Sequence, residues 1–127
     1  MSFVNRIGKI AADNVRIERT AKITLGANGL YYIFKLPKKA YVTHIGLEIL
    51  TAADAGELTV GFVGNGETAD ASYFMDNAAV QPTITGIRYT ALPKWFVDAG
   101  GAITLTLSGL GSTAPVIRSY VQFSVIH

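Results

Sequence analysis

The chain has no cysteine and only two histidines among 127 residues. A disulfide framework and thiolate metal sites are thereby excluded, while the redox compartment stays undecided. His44 and His127 stand far apart, with no HxH or HxxxH spacing, and make a poor metal site. No GxSxG elbow surrounds any serine, so a hydrolase of that type has no support. The glycines of Gly61-Phe62-Val63-Gly64-Asn65-Gly66 are not followed by a helix pattern or a Lys-Ser/Thr pair, which argues against phosphate binding. The acids Glu67, Asp70 and Asp76 match no EF-hand spacing and read as a solvated acidic loop. No apolar run approaches the roughly 20 residues that span a bilayer. The first residues, MSFVNRIGKIAADN, have no continuous apolar stretch, so no secretory signal is expected and synthesis in the cytoplasm is the default. Neither an enzyme nor a cofactor is expected from this inventory.

What the chain does have is hydrocarbon in alternation. Half of the residues are hydrophobic and 16% are charged, which suits one folded domain. From Ala40 to Phe62 the sequence reads as two strands joined by a polar turn. Tyr41, Thr43, Ile45, Leu47 and Ile49 are spaced two apart, and Leu58, Val60 and Phe62 repeat that spacing after Ala53-Asp54-Ala55-Gly56. Val15, Ile17, Ala21, Ile23 and Leu25 predict a half-buried strand blemished by Arg19. Leu30, Tyr32, Phe34 and Leu36 predict the inner face of the next. A longer loop is expected from Gly64 to the cluster Tyr73-Phe74-Met75. Short strands follow around Ile87 and Tyr89, around Trp95, at Ile103 to Leu107 and at Val116 to Ile126. No long stretch shows a helical period. About eight short strands separated by turns predict an all-β antiparallel sandwich, jelly-roll-like, over residues 14–127. Residues 1–13 read as an N-terminal arm, with Phe3, Ile7 and Ile10 at helical spacing but too short to be stable alone.

The net charge of +2 conceals a split. Residues 1–41 carry eight basic side chains against two acids, and residues 42–127 carry three against seven. Such a division predicts two surfaces of opposite sign that meet a partner or another copy, unless folding interleaves them. Lys38-Lys39 is too small a basic cluster to imply nucleic acid. Tyr31, Tyr73, Phe74, Trp95 and Phe96 could stack on sugars or bases, but core filling or interface anchoring is the simpler role for aromatics here.

The run LYYIFKLPKKAYVTHIGLEILTAADAGELTVGFVGNGETADASYF resembles a pattern of tailed-bacteriophage virion proteins. In it a Pro-Lys-Lys-Ala-Tyr-Val strand start, an Ala/Asp/Gly turn and a strand ending in glycine lead to Asp70, Tyr73 and Phe74. Asp98-Ala99-Gly100-Gly101 turning into Ile103 to Leu107 is similar to the second half of that pattern. The resemblance spans about residues 30–107 and points to small capsid decoration, or cement, proteins. It implies a non-enzymatic virion protein on the capsid exterior, with the major capsid protein and further copies of itself, as a homotrimer, for partners. Neither nucleic acid nor membrane is expected. Head-fibre or tail-associated proteins share such modules, and a carbohydrate-binding sandwich is the alternative from another class. The expected interface residues are Phe3, Val4, Arg6, Ile7, Lys9 and Ile10 of the arm, with Tyr73, Phe74 and Trp95.

Overall fold

The structure is a computed structural model that describes residues 15–126. The expected arm, and with it Phe3, Val4, Arg6, Ile7, Lys9 and Ile10, lies outside the described residues. Within them the chain forms β1 (Val15–Arg19), β2 (Ile23–Thr24), β3 (Gly29–Lys35), β4 (Ala40–Thr51), β5 (Glu57–Val63) and β6 (Asp70–Met75). One helical turn, α1 (Asn77–Val80), precedes β7 (Gly86–Thr90), β8 (Lys94–Phe96), β9 (Ala102–Ser108) and β10 (Val116–Val125). Asp76 caps α1 by accepting a hydrogen bond from the Ala79 amide.

Two antiparallel sheets result. Sheet A runs β1-β10-β4-β7, with β2 also on β10 and β8 also on β4, and sheet B runs β3-β9-β5-β6. The pairing is nested: β1 with β10, β3 with β9, β4 with β7, and β5 with β6. A hairpin rolled upon itself pairs its strands in this way, first with last and inward to the middle. The expected sandwich of jelly-roll type is therefore the fold observed. The core lies between the sheets. Val42, Ile45, Leu47, Ile49, Ile117, Val121 and Phe123 from sheet A meet Phe34, Leu58, Val60, Phe62, Ile103, Leu105 and Leu107 from sheet B.

The sides of the sandwich are fixed by contacts between the sheets. Tyr73 of β6 donates its hydroxyl to the Pro93 carbonyl, 3.0 Å away, beside β8. Arg88 of β7 donates from Nε to the Val80 carbonyl at 2.7 Å, at the end of α1. Strands β7 and β8 therefore overlie β6, and β1 and β3 form the opposite side.

Three expected faces are corrected by the structure. Leu30 and Tyr32 point outward, while Phe34 and Leu36 are buried. The ladder between β3 and β9 slips by one residue between Tyr32 and Phe34, and a slip of one exchanges the faces. Likewise Tyr41 is exposed and Val42 buried, because β4 carries an irregularity at Thr43, where Gln122 faces His44 and Phe123 faces Val42. The run from Val15 to Leu25 is not one half-buried strand: β1 and β2 are separate, and every residue of β1 is exposed. Arg16 and Glu18 pair with the buried Phe123 and Val121, on the core-bearing face, yet stay solvated because sheet B does not extend beneath β1. Finally, the expected loop up to Tyr73 contains strand β6 from Asp70 onward.

Gly61 explains how β6 fits. Val60 is opposite Met75, but Phe62 is opposite Asp70, so β6 runs five residues while β5 advances two. The excess arches over Gly61, where a Cβ would overlap the Asp70 carbonyl oxygen and the Ala71 backbone. Only glycine lets the chains approach this closely.

Candidate interface

At one end of the sandwich, β8 brings Lys94 over the aromatic edge of the core. Lys94 sits opposite the buried Val42, so its side chain leaves the sheet on the core side. Its ammonium lies 4.4 Å from the Phe62 ring centre and 5.1 Å from that of Tyr73. The charge is balanced by Glu67, whose Oε1 is 2.8 Å away. That hydrogen bond, helped by another from Asn65 Nδ2, holds the Glu67 carboxyl below the usual glutamate range. Asn65 adopts a left-handed backbone conformation, with φ of 64°. Its buried side chain donates to the Trp95 carbonyl and accepts from the Asp98 amide. The loop after β5 is thus locked to β8 by an amide whose bonding capacity is used internally. A depression of about 410 Å³ opens here, lined by Asn65, Glu67, Tyr73, Pro93, Lys94, Trp95 and Val97.

The three expected aromatic residues part company at this corner. Tyr73 is half-buried, edge-on to Phe62 and Phe74, and braces the two sheets through Pro93. Phe74 is 5% exposed and belongs to the core, so it offers no ring to a partner. Trp95 is 39% exposed on the outer face of sheet A, its ring centre 6.4 Å from that of Tyr41. The other stacking candidates, Tyr31 and Phe96, are core-directed.

That outer face holds residues that alternation placed on strands without marking them as an exposed surface. Ile17, Gln122 and His44 stand in one row across β1, β10 and β4. Tyr120, Gly46 and Tyr89 stand in the next, across β10, β4 and β7. Because Gly46 has no side chain, a groove of about 220 Å³ remains, walled by Ile17, His44, Ile87, Tyr89 and Tyr120. The rings of His44 and Tyr89 stack with centres 5.6 Å apart. Ile17 and Ile87 are 69% and 70% exposed, unusual for isoleucine on a regular strand. The period-two signal was present at Ile87 and Tyr89, but period alone does not say which side is wet.

The acidic stretch is largely spent on local structure. Asp54 accepts hydrogen bonds from the amides of Thr113 and Ser112 and from the Ser112 hydroxyl, which lower its pKa to about 2. It ties the β4–β5 turn to the loop before β10. Asp70 accepts from the Ser72 amide and Asp76 caps α1. Among the described residues no three His, Cys, Asp or Glu side chains gather as metal ligands would. No helix there is long and apolar enough to cross a membrane.

No family model and no curated protein matches the chain. Solved structures do. A chain in the acidic stable capsid structure of Helicobacter pylori bacteriophage KHP30 superposes with a TM-score of 0.68 at 21% identity, covering 87% of each chain. The fold is one found in phage capsids. A chain of the cyanophage Pam1 capsid asymmetric unit shares it, with a TM-score of 0.63 at 17% identity, over 89% of this chain and 86% of that one. The shared fold covers nearly the whole length of each chain, so both neighbour chains are similar in size to this one.

Proposed function

We propose that this chain is a non-enzymatic structural protein of a bacteriophage particle. Within that reading it is a decoration, or cement, protein that binds the assembled shell from outside and stabilises contacts between capsomers. The observation that carries the proposal is the end-to-end match, over 87% of both chains, to a sandwich found in a phage capsid. The exposed apolar groups on sheet A supply surface for such contacts. The major capsid protein is the proposed partner, and self-association as a trimer is part of the same reading.

A sugar-binding role finds less support in the site. Tyr41 and Trp95 could form a ring platform, but a sugar also needs unengaged amides and carboxylates beside it. The Asn65 amide and the Glu67 carboxylate next to Trp95 are already bonded to each other and to β8 and the residues after it.

The test is co-sedimentation of the purified protein with DNA-free capsids, beside a glycan array. Binding to capsids with a blank array supports the proposal. An array signal with no capsid binding overturns it. Residues 2–11 are the proposed adhesive arm, with Arg6 and Lys9 at its rim. Deleting them should leave the circular-dichroism spectrum unchanged and weaken capsid binding. Charge reversal at Arg6 and Lys9 should weaken it less, and mainly at low salt.

A further inference from the structure

The outer face of sheet A is largely apolar, and the chain enters it at one corner. Val15, Ser124, Tyr41 and Trp95 stand in its first row, across β1, β10, β4 and β8. The rows of Ile17 and of Gly46 follow, and then one of Arg118, Glu48 and Ile87. Arg118 and Glu48 neutralise each other there, 3.2 Å apart. Between these rows the groove over Gly46 offers rings and branched hydrocarbon, with Ile17 and Ile87 standing well into solvent. An apolar surface of this kind marks a contact site.

We propose that residues 1–14 of the same chain cover this face, with Phe3 seated in the groove. The segment joins β1 at Val15, whose side chain already belongs to the face. Asp13 and Asn14, just before it, are turn formers that let a chain double back. Reach is sufficient. Gly46 lies two strands across and four residues along from Val15, about 16 Å away. The twelve residues from Phe3 to Val15 span about 40 Å extended and about 18 Å as a helix, so either form arrives. The chemistry also fits. Phe3 is the one ring of the segment, Val4, Ile7 and Ile10 supply hydrocarbon, and Arg6 and Lys9 are long enough to reach solvent at the rim.

Tethering selects the occupant. A segment joined at Val15 meets the groove at an effective concentration of roughly millimolar order, above that of a free copy at micromolar protein. The contact belongs to the free chain and does not rest on the virion reading. A shell that binds through the arm has to displace it first, so the arm is withheld from other surfaces until then.

The chain has no cysteine, so Ser2→Cys provides a single point for a nitroxide label. Amide NMR spectra of the isotope-labelled full chain are compared with the nitroxide oxidised and reduced. In the oxidised form His44, Gly46 and Tyr89 should lose most of their intensity. Thr59 and Thr106, paired on the outer face of sheet B, should keep theirs. Phe3→Asp or Ile87→Asp should restore the lost intensity, with dispersed spectra showing each variant folded. If Ile87→Asp does not fold, Phe3→Asp, outside the described residues, decides alone. Equal intensities in both forms, or a loss spread evenly over the two sheets, overturn the proposal. So does a loss that survives Phe3→Asp. Nitroxide-bearing chains without isotope, mixed with isotope-labelled chains without nitroxide, should show no loss. A loss in that mixture places a neighbour's segment in the groove and overturns the contact within one chain. No capsid is present, so this contact and the virion reading can fail separately.

Discussion

Lys94 and Glu67 join β8 to the loop after β5, with Nζ 2.8 Å from Oε1 above the ring of Phe62. The lysine side chain is only 13% exposed, so its stem contributes packing as well as charge. Replacing Lys94 by Ala should cost about 1–2 kcal/mol, from lost stem packing and the cation–π contact. Lys94→Met should recover part of that. Urea unfolding of the three proteins measures the difference. Equal stability of Lys94→Ala and the parent would show that the pair is merely superficial.

Gly61 is expected to be the least replaceable glycine of sheet B. Gly61→Ala places a methyl group against the backbone of Asp70 and Ala71, which cannot yield as a side-chain tip does. A loss of about 3 kcal/mol or more is expected, at or above the upper range for overpacking. Thermal unfolding provides the measurement, and a variant with the parent's midpoint would mean that β6 does not arch as described.

Phe74 and Trp95 should separate stability from association. Phe74→Ala removes a core ring and should cost about 3–5 kcal/mol. Trp95→Ala, at a half-solvated position, should cost less than about 1 kcal/mol. It should nevertheless weaken association between copies, as read by sedimentation. The reverse ranking would return Phe74 to the surface.

Asp54 gives a signed dependence on pH. Its carboxyl titrates at about 2 in the fold against an ordinary 3.8, because the amides of Thr113 and Ser112 and the Ser112 hydroxyl bind the charged form. A depressed pKa stabilises the fold above 3.8, and that share is lost as pH falls from there toward 2. Asp54→Asn should lower the midpoint at neutral pH and flatten its decline across this window. Parallel curves for variant and parent would place the acid sensitivity elsewhere.

The strands were legible because hydrocarbon at period two marks them, and Leu58, Val60 and Phe62 are buried as that period requires. The faces of β3 and β4 were not. A bulge at Ile33 and another at Thr43 each exchange inside and outside, and neither leaves a mark in composition. Strand β1 misled for a second reason: burial needs an opposing sheet, and alternation within one strand cannot reveal that, among the described residues, sheet B stops short of it. At the candidate interface, Trp95 stood out as an aromatic beside a proline. Ile17 read as the buried side of a strand, and Ile87 and Tyr89 only as a short strand with no side assigned, because exposed and buried rows share one period.

Strand β10, the last of the ten described, lies at the centre of sheet A, between β1 and β4. While the chain is being made, β1 and β4 have no neighbour on that side until residues beyond Val116 have left the ribosome. The innermost pair, β5 with β6, has no such wait. Folding of the whole domain therefore waits until β10 has emerged, and with contacts this distant in sequence it should take milliseconds to seconds. A nascent chain stalled before Val116 should remain open to protease along β1 and β4, and become resistant once β10 is free.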